Sequence, residues 1–157
     1  MKKRGRGIGL CFYGTGYGNG FPDVSNSRVR LLKDGKVGLY VGGAEVGQGA
    51  KTVFVQIAAE TLKVYPENIH LEMEDTDLTP DSGTAAATRQ TYNTGNAIKI
   101  ACENFMEKLK ECAKKELNLN STAGLKVEKG EVYLEIFPYK SISFIQLAEI
   151  YEEDPIE

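Results

Sequence analysis

Two short segments of this sequence hold most of the residues whose types and spacing suit ligand chemistry. The first is Gly42-Gly43-Ala44-Glu45-Val46-Gly47-Gln48-Gly49, immediately before a run with helical periodicity. A helix start leaves backbone N–H groups unpaired and carries a partial positive charge, so it attracts anionic oxygens. Glycines remove side-chain bulk and let a ligand approach those groups, while the Gln48 amide can both donate and accept. The combination suits a pterin or nucleotide carrying phosphate, and it also suits a tight strand-to-helix turn that binds nothing. No Gly-Lys-Ser/Thr ending is present and no G-x-G-x-x-G opens the helix, which sets aside the common nucleotide loops.

The second segment is Ser82-Gly83-Thr84-Ala85-Ala86-Ala87-Thr88-Arg89-Gln90-Thr91. Small residues permit close approach, and hydroxyls and backbone N–H groups can meet polar edges. Arg89 has the planar fork for a bidentate contact to phosphate or carboxylate, or it completes a structural ion pair beside a helix cap. Glu45, inside the glycine loop, is placed to orient neighbouring N–H groups. Glu72 and Glu74 fall on one face of a strand and read as a solvated edge rather than an acid–base pair. His70 is the only histidine and lacks the second ligand a metal site needs. Cys11, Cys102 and Cys112 have no paired spacing and read as buried free thiols, not as a disulfide, zinc or iron–sulfur framework. Composition alone therefore supplies neither a catalytic residue nor a metal ligand.

These segments must be carried by regular elements. Asp34-Gly35 between the apolar runs Arg28–Leu32 and Val37–Val41 signals a hairpin. Val53, Phe54, Ile57, Ala58, Thr61 and Leu62 recur at helical spacing, with Pro66 just past the end, and predict a helix over 50–64. Ile69, Leu71 and Met73 alternate as a strand. Ile98, Ala101, Cys102, Phe105, Met106, Leu109, Cys112 and Ala113 predict a long helix over 91–117. Arg6–Tyr13 reads as a further short strand. Leu125–Val127 and Val132–Ile136 read as a second hairpin, and Ser141–Tyr151 as a short helix with Ser143 as its N-cap. A strand, a polar loop and a helix thus occur twice, over 37–64 and 69–117, so that neighbouring strands would turn both loops toward one ligand. The expected fold is α+β: a mainly antiparallel sheet, two packed helices, and a smaller C-terminal hairpin–helix extension. Residues 1–120 form the main unit and 121–157 its extension.

At 157 residues, with 41% apolar and 26% charged residues, the chain has the composition of a globular domain with a real core. A net charge of −3 gives no basic face for nucleic acid. The basic start, Met1 to Arg6, is followed by an apolar run too short and too broken by glycine for a signal or membrane segment. A cytoplasmic location is the expectation.

Taken in order, Gly42–Thr52 with Gln56-Ile57-Ala58-Ala59-Glu60, then Asp75-Thr76-Asp77, Thr84–Thr91 and Gly95-Asn96-Ala97, resemble the molybdenum hydroxylases of the xanthine dehydrogenase and aldehyde oxidase type. The resemblance spans about residues 5–117, and the wording Arg89–Asn96 is closest to a bacterial purine-hydroxylase or selenium-dependent branch. It implies that Val46, Gly47 and Gln48, together with Ala86, Ala87, Thr88, Arg89 and Gln90, hold a molybdenum–pterin cofactor, either molybdopterin or its cytosine dinucleotide form. It implies oxidative hydroxylation of a purine, another N-heterocycle or an aldehyde, with electrons leaving through iron–sulfur clusters and FAD on partner regions. The family's glutamate base lies in a G-x-G-E motif, which this sequence lacks, as it lacks the upstream F-G-G-type loop and the substrate-pocket residues. The chain then supplies one wall of a site and is inactive alone. Its implied partners are the remainder of the molybdenum subunit, the iron–sulfur and FAD subunits and a small-molecule substrate; homo-oligomerisation stays open. The competing expectation is a non-catalytic interaction domain that keeps the fold without cofactor.

Overall fold

A computed structural model describes residues 2–157. Strand β1 (Ser27–Leu31) and strand β2 (Val37–Val41) form the hairpin expected around Asp34-Gly35, pairing antiparallel from Ser27 opposite Val41 to Leu31 opposite Val37. Helix α1 (Ala50–Leu62) then crosses over to strand β3 (Ile69–Met73), which lies parallel to β2, with Val41 opposite Met73 at the carboxyl end. A parallel pair cannot be joined by a tight turn, and α1 supplies the long connection it needs. Helix α2 (Gly95–Glu116) is entered through a wide helical turn over Gln90–Thr94.

The core sits where α1 and α2 cover one face of this sheet. Phe54, Ala58 and Leu62 of α1 meet Ile98, Cys102, Phe105, Leu109 and Ala113 of α2 above Val29, Leu31, Leu39 and Val41, all buried. The three- and four-residue spacing keeps each apolar set on one stripe of its helix. Burial pushes the Cys102 thiol up to about 12, so it is an inert packing group.

The C-terminal part is a second three-stranded antiparallel sheet, β4 (Leu125–Glu128), β5 (Glu131–Leu134) and β6 (Phe137–Ser143), followed by helix α3 (Phe144–Ile150). It shares the first unit's core through Leu125, Val127, Val132 and Leu147. Ser143 caps α3 reciprocally with Gln146: the Ser143 hydroxyl accepts from the Gln146 N–H at 3.2 Å and the Gln146 side chain accepts from the Ser143 N–H at 2.9 Å. The α+β class stands as expected, and the C-terminal hairpin gains a third strand, β6, so that the extension has a sheet of its own. Residues 141–143 end a strand rather than begin the helix. Pro138 hides that strand in the sequence, and the structure tolerates it because β6 is an edge strand.

Two further expectations are corrected. Residues 6–13 are not in a strand: they extend from the body with Ile8, Leu10 and Phe12 91%, 93% and 103% exposed. Their alternation is real, but no strand of the described residues pairs with them. Cys11, on the same arm, is exposed and Cys112 half-buried, leaving only Cys102 as a buried thiol. No helix of the described residues is long and apolar enough to cross a membrane.

Candidate functional site

Because β2 and β3 are parallel neighbours, their carboxyl ends face the same way, and the chain leaves both into polar loops on one side of the sheet. Ligand sites of open α/β sheets collect at such ends. The Gly42 N–H donates to Ser82 Oγ at 2.9 Å, and Ser82 Oγ donates to the Asn26 carbonyl at 2.7 Å, so the fully buried Ser82 ties the second loop to the end of β2. The two loops border an open cleft of about 500 Å³ lined by Tyr13, Val46, Gln48 and residues 85–91. Of the residues singled out in the sequence, Val46, Gln48, Ala86, Ala87, Thr88, Arg89 and Gln90 all come together there. Gly47 does not line the cavity; its φ of +97° makes the turn that places Val46 and Gln48 on it.

Within the glycine loop, the donors expected to meet a ligand are engaged internally. Glu45 Oε1 accepts from the N–H groups of Gly47 at 2.7 Å and Gly49 at 3.0 Å, and Oε2 accepts from the Lys51 N–H at 3.1 Å. A carboxylate of the chain itself therefore occupies the positive end of α1, completing its start much as a capping side chain does. Gln48 is folded back as well: its Oε1 accepts from the Val46 N–H at 2.7 Å and its Nε2 donates to the Ala44 carbonyl at 2.8 Å. The loop is a self-satisfied scaffold that presents Val46, 79% exposed, and the Gln48 side chain.

The Lys51 and Gly49 N–H groups hold the Glu45 carboxyl below its ordinary value of 4.5 against the opposing effect of burial, with lesser help from the Gly47 and Ala50 N–H groups. A carboxyl whose folded value is depressed contributes stability at pH above its unfolded value, and that contribution disappears as pH falls through the lowered folded value. The melting temperature of the native chain should therefore drop more steeply below pH 4.5 than that of Glu45→Gln, whose amide keeps the shape without titrating. Parallel melting curves for the two proteins across that range would remove the capping role.

Arg89 shows the same inward economy. It is 1% exposed; its Nε donates to Asp23, with which it forms an ion pair. Its Nη1 donates to the carbonyls of Ser82 at 2.9 Å and Thr84 at 3.1 Å, and its Nη2 to that of Val24 at 2.6 Å. The guanidinium is thus engaged in shaping the second loop, and Arg89 borders the cavity without a free donor fork. Around it, the Gly16 N–H donates to the Ala87 carbonyl at 2.8 Å, and Ala87 and Thr88 take left-handed φ values of +49° and +54°.

Gln90 differs from both. It is 8% exposed, its Oε1 accepts from the Thr94 hydroxyl at 3.1 Å, and its buried Nε2 has no hydrogen-bond partner among the described residues. A buried amide donor without a partner is costly, and this one is closed off from solvent behind the loop surface. Gly43 makes room for it: a Cβ there would lie 2.7 Å from Gln90 Oε1.

The sequence did not single out Asp23 or Tyr13 for the site, and it read Glu74 only as part of a solvated strand edge. Glu74 is not on a solvated strand face, because β3 ends at Met73 and Glu74 turns with a φ of +67° toward the glycine loop. His70 is exposed, 3.6 Å from Glu72, and the described residues contain no cluster of three or more His, Cys, Asp or Glu side chains suited to a metal ion.

The family model described as "Molybdopterin cofactor-binding domain" matches residues 1–157. The aldehyde oxidoreductase of Megalodesulfovibrio gigas is 39% identical over 115 residues, covering 71% of this chain and 12% of that protein. The xanthine dehydrogenase molybdenum-binding subunit of Escherichia coli O157:H7 is 34% identical over 134 residues, covering 82% of this chain and 17% of that protein. Among solved structures, quinoline 2-oxidoreductase from Pseudomonas putida 86 superposes with a TM-score of 0.68 at 26% identity, covering 82% of this chain and 16% of that one. The chain therefore spans less than a fifth of the length of each of these proteins.

Proposed function

This chain belongs to the molybdopterin cofactor-binding domain family, and we propose on that premise that its two loops form one wall of a molybdenum–pterin site. Val46, Gly47 and Gln48 on one side and Ala86, Ala87, Thr88, Arg89 and Gln90 on the other hold the cofactor. Val46, Gln48 and Gln90 meet it directly, while Gly47 and Arg89 give the loops their shape. The single observation that carries this reading is the convergence of both loops, Val46 and Gln48 with residues 85–91, on one open cleft. The small side chains of residues 85–87 leave space there for the flat face of a pterin.

When bound, the cofactor supplies the redox and oxygen-transfer chemistry of a hydroxylation. The reaction proposed is hydroxylation of a purine, another N-heterocycle or an aldehyde. Relatives named for aldehydes, xanthine and quinoline support that range without selecting within it. The absence of a G-x-G-E motif from this sequence assigns the proton-accepting glutamate to another region. The chain's own part is to bind and orient. The remaining partners are the rest of the molybdenum region, iron–sulfur and FAD subunits; residues 1–120 carry the cofactor wall and 121–157 brace it. The exposed Ile8, Leu10 and Phe12 form the apolar surface on which the missing region would pack. The cofactor form is either molybdopterin or its cytosine dinucleotide.

The test is cofactor content. Assembled with the rest of the molybdenum region in cells that make the cofactor, Gly47→Val should lose at least about tenfold of its bound molybdenum and pterin, and Gln48→Ala a smaller fraction. Parental content in both variants would favour the non-catalytic interaction domain instead.

A further inference from the structure

We propose that Glu74 is a positioning residue that acts through Glu45 and Lys51 to aim the glycine loop at the cofactor; this rests on the cofactor reading above. The first observation is backbone strain. Among the described residues, six non-glycine residues take positive φ: Lys63, Glu74, Ala87, Thr88, Asn118 and Lys129. Lys63 is the C-cap of α1, Asn118 follows the end of α2, and Lys129 sits in the β4–β5 turn, all places where chain reversal accounts for the conformation. Ala87 and Thr88 belong to the second cofactor loop. Glu74 also stands where the chain turns, past the end of β3, but no glycine serves that turn, and a residue with a Cβ persists in that conformation only where its surroundings hold it there.

The second observation is what its carboxylate reaches. Glu74 Oε1 accepts from the Glu45 N–H at 3.1 Å, and Glu74 Oε2 pairs with Lys51 Nζ at 3.1 Å. The Lys51 N–H in turn donates to Glu45 Oε2 at 3.1 Å. These contacts close a ring that joins the start of the glycine loop, the first turn of α1 and the end of β3. Val46 and Gln48, the residues that line the cavity from this side, lie between the two points at which the ring grips the loop.

The ring's effect is directional. Lys51 and Glu74 side chains are 49% and 45% exposed, and an ion pair so open to water adds little to stability. Held at Glu45 from outside the loop, however, the chain between residues 45 and 51 cannot swing away from residues 86–90. Loss of Glu74 should therefore change cofactor retention far more than folding.

The experiment uses the assembled enzyme, with molybdenum and pterin counted per chain. Glu74→Gly removes the carboxylate and relieves the backbone; Glu74→Gln keeps the length and the acceptor for the Glu45 N–H but loses the charge. Glu74→Gly should retain about tenfold less molybdenum and pterin, and Glu74→Gln should fall between it and the parent. The cofactor-free melting temperature of both should stay within about 2 °C of the parent, while amide exchange over residues 45–51 accelerates. Parental cofactor content in Glu74→Gly beside a stripped Gly47→Val overturns the positioning role, as does a cofactor loss matched by a large fall in melting temperature. Parental content in Gly47→Val as well defeats the cofactor reading itself, and this proposal with it.

Discussion

Replacing Arg89 with alanine should lower stability by about 3–5 kcal/mol, the cost of removing one member of a buried ion pair and stranding the groups it served. Arg89 is 1% exposed and is bonded to Asp23 and to the carbonyls of Val24, Ser82 and Thr84. Without the guanidinium, three carbonyls and a carboxylate, only 21% exposed on the side chain, face a void. For a chain of this size the melting temperature should fall by roughly 10–15 °C. Lysine should rescue little of this, because a single ammonium on a flexible stem cannot replace a planar fork directed at four acceptors. Thermal or urea unfolding decides the matter: an alanine variant melting within about 2 °C of the parent would show that the guanidinium does not hold the loop. The design of the experiment also separates two roles. A ligand-contacting arginine would be missed mainly when cofactor is present, whereas Arg89 should be missed in the cofactor-free protein.

Gly42→Ala should destabilise the chain by about 2–4 kcal/mol, combining the cost of overpacking with the loss of one buried hydrogen bond. The added Cβ would lie 2.4 Å from the Pro80 carbonyl oxygen and 3.3 Å from the Ser82 nitrogen, and backbone atoms cannot rotate aside as a side chain can. Relief requires residues 80–82 to move away from the end of β2, which breaks the 2.9 Å bond from the Gly42 N–H to Ser82 Oγ. The same movement pulls the two loops apart, so on the proposed cofactor role cofactor content should fall together with stability. Gly9→Ala is the matched control, since a Cβ there meets nothing within 4 Å. Equal melting temperatures for the two variants would mean that the Gly42–Ser82 contact does not join the loops.

The parts of this fold that could be read from sequence are those whose cause is local. Asp34-Gly35 dictates a hairpin whatever the rest of the chain does, and the spacing of Ile98, Cys102, Phe105, Leu109 and Ala113 marks one stripe of a helix before anything packs on it. The parts that could not be read depend on partners far away in sequence. Residues 6–13 alternate like a strand, yet alternation cannot say whether a neighbouring strand exists. Arg89 is compatible with an external phosphate or an internal carboxylate, and only the position of Asp23, 66 residues earlier, decides. For the glycine loop, the resemblance correctly drew attention to Val46 and Gln48 as neighbours of residues 86–90, but helix-end electrostatics taken alone misassigned the donors. Those donors are filled by Glu45, from within the loop's own first four residues. Glu74 was hidden because a strand pattern continued one residue too far would keep it on a solvated face, and the turn that redirects it has no glycine to announce it.

The stitching of residues 23–25 to the second loop has a biosynthetic consequence. Val24 waits for Arg89, Ser25 for Thr94 and Asp23 for Asn93, across separations of 65, 69 and 70 residues. A nascent chain cannot complete this wall until Thr94 has emerged from the ribosome, and closing spans of that length is the slow, entropy-limited part of assembly. Throughout that interval Ile8, Leu10 and Phe12 are already outside and uncovered. Residues 8–12 therefore leave the ribosome before the residues that close the cleft, and through that interval they are an apolar stretch suited to a chaperone.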